Sequence, residues 1–275
     1  LTRVAAIDLG TNTTRLLVAD VAHGEVEALT RRSVVTRLGE GVDASRTLRP
    51  EAIGRVRAVL DEYRRELDQL GAERVIAVAT SAVRDATNGR AFLADLEGDY
   101  GFATRLLSGD EEAALTLRGV GAVDEDTLVL DVGGGSTELI TAAFRTSLDV
   151  GSARVTERFL HSDPPRAEEL AAAAGYVRGL LPPLEPTRAI GVAGTVAQLQ
   201  ELAGELTPAA VAAELARLAS LPLDERRRVP GLDPARAPVI VGGVLIVDEV
   251  LRRYGLDRLE FSVRDLLDGA ALGLA

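Results

Sequence analysis

Apolar and polar positions alternate along this chain in blocks that repeat once. Val4-Ala5-Ala6-Ile7 runs into Asp8, turns through Leu9-Gly10-Thr11-Asn12-Thr13-Thr14, and becomes apolar again at Leu16-Leu17-Val18. Leu128-Val129-Leu130 runs into Asp131, turns through Val132-Gly133-Gly134-Gly135-Ser136-Thr137, and resumes beyond Glu138 at Leu139-Ile140. Short apolar runs bounded by small residues predict buried strands, so each copy reads as strand, tight loop, strand. Asp8 stands over Asp131, Gly10 over Gly133 and Thr14 over Thr137. Elsewhere in the first half, Glu25 to Leu38 predicts a further strand pair. Ile53, Val56, Val59, Leu60 and Tyr63 recur at helical spacing, predicting a helix over Pro50–Leu70. Strands follow at Arg74–Thr80 and Phe102–Leu107, and helices at Gly89–Leu96 and from about Asp110. In the second half the pattern predicts strands at Ser147–Val150 and Ala189–Ala193 and an alanine-rich helix at Arg166–Leu181. A further helix is opened by Thr207 as N-cap and Pro208 at the first helical position. Alternating strands and helices, each half led by a hairpin, predict an α/β protein of two domains with mixed sheets. The glycine- and acid-rich Gly119–Asp126 places the boundary, giving domains 1–120 and 121–275.

The repeated loops suggest chemistry. Small residues leave backbone N–H groups bare, and successive bare N–H groups form a nest for an anion such as phosphate. A carboxylate at the strand end beside the nest can hold a hydrated divalent cation, because hard cations take oxygen ligands. Two such loops predict two halves facing each other across a phosphate-sized cleft. Two unrelated hairpins with glycine turns are the plainer alternative.

Composition narrows the classes. The formal net charge of −11 argues against a general nucleic-acid binder, which needs a cationic face. Absence of cysteine excludes disulfides and thiolate chemistry, and two histidines cannot build a multi-histidine metal site. Every basic residue is arginine, which removes the Walker lysine and Schiff-base chemistry. The longest apolar stretch, Val239 to Val247, is too short to span a bilayer, and the opening strand does not fit a secretory signal. A cytoplasmic enzyme without membrane or nucleic-acid partners is therefore expected.

Ser108 and Glu111 have the spacing of a capping box. Glu111 is thereby explained, while Glu112 points about 100° away around the helix. Near a helix N-terminus a carboxylate stays ionised, which suits a water-orienting base; a solvated first-turn glutamate is the alternative. Arg84, in Thr80-Ser81-Ala82-Val83-Arg84-Asp85, stands at a strand end and could clamp phosphate oxygens or simply pair with Asp85. Arg37 and Glu40 form a glycine-flanked charge pair that is weaker as a candidate. Gly194-Thr195 reads as a third small-residue loop at a helix start, able to receive an anion.

The ordered set Asp8-Leu-Gly-Thr-Asn-Thr, Arg37-Leu-Gly-Glu-Gly, Thr80-Ser-Ala-Val-Arg84, Ser108-Gly-Asp-Glu-Glu112-Ala, Asp131-Val-Gly-Gly-Gly-Ser-Thr-Glu138 and Ala193-Gly-Thr195 closely resembles the exopolyphosphatase / guanosine pentaphosphate phosphohydrolase family over nearly the whole chain. That resemblance implies the superfamily of actin, heat-shock chaperone ATPases and sugar kinases, with two domains of duplicated ribonuclease-H-like topology and an active-site cleft between them. It implies the short two-domain form. It makes Glu112 the catalytic glutamate and Arg84 the arginine beside the cleft. Asp131 and Glu138 become the acids around the metal and the attacking water, Glu138 thereby catalytic as well, with Asp8 a further metal acid; the metal is Mg²⁺, Mn²⁺ being the alternative. Gly10, Thr11, Asn12 and Thr13, then Gly133 to Thr137, and finally Gly194 and Thr195 become phosphate contacts. Pro238 stands where relatives commonly carry an acid, and Ser262–Gly269 follows the family pattern loosely.

The expected activity is release of terminal orthophosphate from inorganic polyphosphate, Glu112 activating water. Guanosine pentaphosphate is the alternative substrate. An ATP-dependent small-molecule kinase and an actin-like binding or filament protein are the rival classes, because fold alone does not fix function. A homodimer is compatible with this reading.

Overall fold

The computed structural model describes residues 1–275, which divide into two units: Leu1–Ala122 with Arg264–Ala275, and Val123–Val263. Unit one contains β1 (Thr2–Leu9), β2 (Thr13–Ala22), β3 (Glu25–Val35), α1 (Val42–Ser45), α2 (Pro50–Leu70), β4 (Arg74–Ala79), α3 (Ser81–Asp85), α4 (Gly89–Tyr100), β5 (Ala103–Leu106) and α5 (Gly109–Val120), and closes with the last helix, α12 (Leu266–Leu272). Its sheet runs β3-β2-β1-β4-β5, an antiparallel meander β1-β2-β3 extended by β4 and β5 parallel to β1.

Strand β1 is apolar on consecutive positions because both its faces are covered. Ala5, Ile7 and Leu9 share a core with Val56, Leu60 and Leu67 of α2. Val4 and Ala6 share another with Leu267, Ala270 and Ala271 of α12. Helix α12 also lies against α5 at two glycines: a Cβ on Gly119 would overlap the Asp265 carbonyl, and one on Gly269 the Leu115 carbonyl. Only hydrogen fits at either position.

Unit two contains β6 (Thr127–Val132), β7 (Thr137–Ile140), β8 (Arg145–Leu148), α6 (Ser152–Phe159), α7 (Ala167–Leu180), β9 (Arg188–Val192), α8 (Ala193–Ala203), α9 (Pro208–Ser220), α10 (Leu223–Arg226), α11 (Ile240–Tyr254) and β10 (Glu260–Phe261). Its sheet order is β10-β9-β6-β7-β8, again an antiparallel meander with two added parallel strands. Each element of the first sheet thus has a counterpart, β1 with β6 and β4 with β9. The repeat in the sequence is a repeat of topology.

Three expectations need correction. Glu25–Leu38 is not a strand pair: β3 is one strand of 11 residues. The hairpin turn lies before it, at His23-Gly24, where both φ angles are positive (53° and 80°) and Ala22 pairs with Glu25. The domain predicted to run from 121 to 275 stops at Val263, because α12 packs on β1 and β2 of unit one. Strand β8 lies at Arg145–Leu148 rather than Ser147–Val150. The apolar run at Val239–Val247 leads into α11, buried continuously from Ile240 to Leu251 and therefore a core helix rather than an amphipathic one. No helix is long and apolar enough to cross a membrane.

Candidate active site

The first loop joins β1 to β2. Its Gly10 N–H donates to the Thr13 carbonyl at 3.1 Å, closing the turn. The Thr11 carbonyl accepts from Gly39 N–H, and the Asn12 carbonyl from both Thr36 and Arg37 N–H. The Thr11 hydroxyl accepts from Ala82 N–H at 3.2 Å, so it braces the start of α3, and any phosphate contact from Thr11 falls to its backbone N–H. Thr14 is fully buried, its hydroxyl 2.9 Å from that of Thr36.

Asp8 stands directly across the hairpin from Arg15. Arg15 donates to Asp8 Oδ2 from Nε at 2.9 Å and Nη2 at 2.8 Å, while its Nη1 pairs with Asp265. Asp8 Oδ1 is buried and has no partner. Burial pushes the Asp8 carboxyl above its usual range, opposed by the charge and hydrogen bonds of Arg15. A buried, unpaired carboxylate oxygen is costly unless something cationic or a donor reaches it.

Helix α5 begins at the predicted cap. Ser108 Oγ accepts from Glu111 N–H at 3.2 Å, and Glu111 Oε2 accepts from Ser108 N–H at 2.8 Å. That backbone hydrogen bond, joined by Arg105 and the Ser108 hydroxyl, holds the Glu111 carboxyl down at about 2. Glu112, one position on, is buried at 7% exposure. Arg84 does not pair with Asp85. Its Nη1 donates to the Leu107 carbonyl at 2.7 Å and to Glu112 Oε2 at 3.3 Å. Asp85 lies 4.0 Å from Arg46 instead, and Glu40 pairs with Arg55 rather than Arg37.

The second loop, between β6 and β7, reproduces the first. Gly133 N–H donates to the Ser136 carbonyl at 3.0 Å, as Gly10 does to Thr13. The Thr137 hydroxyl donates to the Val150 carbonyl at 2.6 Å, burying it as Thr14 is buried. Asp131 and Glu138 face each other across the hairpin, both buried, with Ser147 Oγ donating to Glu138 Oε1 at 2.7 Å. Arg15 in the first hairpin thus occupies the place Glu138 takes in the second. Two buried carboxylates opposite one another repel. In unit one the place opposite the aspartate is taken by Arg15, which serves Asp8. No group of three or more acid or histidine side chains is gathered. The protein's share of a metal shell would therefore be small, with water and substrate oxygens completing it, the usual habit of Mg²⁺.

The third predicted loop opens α8. Ala193 has a positive φ of 65° and Thr195 is buried. Gly194 lies beneath the Arg236 guanidinium, which a Cβ would strike. Sequence reasoning missed Arg15 and Arg236. Arg15 was readable, since it stands over Glu138 in the repeat.

Comparison with known proteins identifies the family. Residues 17–274 match the Ppx/GppA phosphatase family. Exopolyphosphatase 2 of Mycobacterium tuberculosis is 41% identical over 316 residues, covering 100% of this chain and 99% of that protein. The guanosine-5'-triphosphate,3'-diphosphate pyrophosphatase of Vibrio vulnificus is 32% identical over 288 residues, covering 97% of this chain and 58% of its own. The crystal structure of an exopolyphosphatase from Cytophaga hutchinsonii superposes with a TM-score of 0.90 at 26% identity, covering 98% of this chain and 96% of the other.

Proposed function

The chain belongs to the Ppx/GppA phosphatase family, hydrolases of phosphoric anhydrides, and on that footing we propose that it releases terminal orthophosphate from inorganic polyphosphate with Glu112 as the general base. The observation that carries the role of Glu112 is its isolation from the cap: Glu111 serves Ser108, and the buried Glu112 is held by Arg84.

In this reading each loop offers bare N–H groups to phosphoryl oxygens, and the Arg84 guanidinium offers a further anion contact. Glu112 accepts a proton from water as its oxygen bonds to the terminal phosphorus. The bridging P–O bond breaks, its electron pair stays on the shortened polyphosphate, and orthophosphate leaves. Arg84 fixes the Glu112 carboxylate and neutralises charge that grows on the phosphoryl oxygens. Asp131 and Glu138 would hold a divalent cation, and Mg²⁺ or Mn²⁺ there would supply charge neutralisation of the phosphate.

The Vibrio relative motivates a second substrate, the 5′-phosphate of guanosine pentaphosphate. Orthophosphate release from long-chain polyphosphate and from guanosine pentaphosphate, measured side by side without other nucleotide, decides between them. Phosphate transfer from ATP to a small metabolite, with both substrates untouched, would instead move the chain to the kinase class.

A further inference from the structure

We propose that Arg154 is a positioning residue for bound phosphate, acting through the Gly135 carbonyl to aim the Ser136 N–H. The proposal rests on the reading of Gly133–Ser136 as a phosphate cradle, and its reasoning begins with peptide geometry. In a trans peptide the C=O of one residue and the N–H of the next point in opposite directions. Tethering a carbonyl therefore aims the following amide the other way.

All three glycine carbonyls of this loop are tethered to the start of α6. Gly133 O accepts from Ser152 N–H at 2.9 Å, and Gly134 O from Ala153 and Arg154 N–H at 2.9 and 3.1 Å. Gly135 O accepts from Arg154 Nε at 2.8 Å. The amides set by these tethers are those of Gly134, Gly135 and Ser136, and none of the three finds an acceptor in the chain. The close approach requires Gly151, where a Cβ would lie 2.5 Å from the Gly134 carbonyl carbon.

Two of the tethers come from helix backbone, and side-chain substitution leaves them in place. The third is a side chain, nearly buried at 8% exposure. Gly135 has no Cβ to restrict it, so without Arg154 the Gly135–Ser136 peptide is free to turn. In the first loop the Thr11 and Asn12 carbonyls accept from backbone donors, Gly39 to the one and Thr36 and Arg37 to the other. Arg154 supplies a side-chain tether, where the other tethers named come from backbone N–H groups.

Two substitutions separate the donor from the charge. Arg154→Gln keeps a nitrogen donor on the same Cδ that carries Nε and removes the charge. Arg154→Lys keeps the charge and puts a methylene where Nε stood. Both are titrated with inorganic orthophosphate in the whole chain, following the amide resonances of Gly134, Gly135 and Ser136, with KM and kcat for polyphosphate measured alongside. Wild type should show all three amides responding. Arg154→Gln should keep the three responses and bind within about three-fold of wild type. Arg154→Lys should lose the Ser136 response, keep that of Gly134, and weaken orthophosphate binding roughly 10–100-fold, as expected for one hydrogen bond to a charged group. KM should rise more than kcat falls.

The reverse order, with Lys retaining and Gln losing the response, would make Arg154 a charge rather than a positioner and overturn the proposal. Equal behaviour of the two variants, unfolding of both included, would overturn it as well. If Gly134 and Gly135 respond in wild type and Ser136 does not, the proposal fails alone. If no loop amide responds in wild type, the phosphate-cradle reading fails first.

Discussion

Arg84 Nη1 lies 2.7 Å from the Leu107 carbonyl and 3.3 Å from Glu112 Oε2, so the arginine and the acid singled out separately in the sequence form one ion pair. The shorter bond, to the carbonyl, anchors the guanidinium; the longer one leaves Glu112 a contact that a phosphoryl group can share. Under the proposed mechanism, losing Arg84 would remove an anion contact and the support of the base together.

Arg84→Met should lower kcat/KM roughly 10–100-fold, the loss of about 1.5–3 kcal/mol expected for a hydrogen bond to a charged group. Combined with Glu112→Gln the losses should be less than additive, because the two residues act through each other. Steady-state orthophosphate release from the four proteins of this cycle measures the coupling. Strict additivity would show the pair to be incidental.

The Asp131–Glu138 pair leads to a test of metal binding. Asp131→Asn and Glu138→Gln should each raise the Mg²⁺ concentration for half-maximal activity about ten-fold or more, the scale seen when metal-shell partners are removed. Mg²⁺ should raise the thermal midpoint of the wild-type protein and of Asp8→Asn more than that of either unit-two variant. Equal shifts in all four would take the cation away from this pair.

Stability below neutral pH should carry the mark of Glu111. Its carboxyl sits at about 2 in the folded chain against an ordinary 4.5, chiefly through the Ser108 backbone hydrogen bond. A depressed carboxyl pKa contributes stability that is fully present above about 4.5 and is lost as pH falls toward about 2. The contribution is small because the side chain is 42% exposed and solvent screens it. Denaturant midpoints for wild type and Glu111→Gln should therefore converge as pH falls across that window. A constant difference would remove the cap from the acid response.

The local features of the site were legible in the sequence, and the distant ones were not. The two loops and the capping box depend on residues within a few positions of each other, and they stand where the spacing put them. The return of α12 to unit one joins residues far apart in the chain, among them the Arg15–Asp265 and Arg31–Asp268 pairs separated by 250 and 237 residues, which no periodicity reports. The partner of Arg84 was unreadable for a related reason. Asp85 is its neighbour in the chain, but the five-residue helix α3 directs the side chain toward α5.

The α5–α12 crossing gives a test of packing. Gly269→Ala would force a Cβ into the Leu115 backbone carbonyl, so it should cost at least about 1–3 kcal/mol, the usual penalty of overpacking. Gly98→Ala, in an exposed part of α4 with open space around it, should be neutral or stabilise by about 0.5–1 kcal/mol. Chemical denaturation of both variants checks the contrast. Equal stabilities would mean that α12 does not pack on α5 as described.

The central claim is that Glu112, and not its neighbour, activates the attacking water. Orthophosphate release from long-chain polyphosphate by Glu111→Gln and Glu112→Gln, each verified as folded by thermal unfolding, tests it most directly. Glutamine can still cap, so Glu111→Gln should keep most of its turnover. Glu112→Gln preserves shape but removes the base, so kcat should fall roughly 10²–10⁴-fold with KM unchanged or lower. A folded Glu112→Gln protein with near wild-type kcat, whatever Glu111→Gln does, would contradict the account.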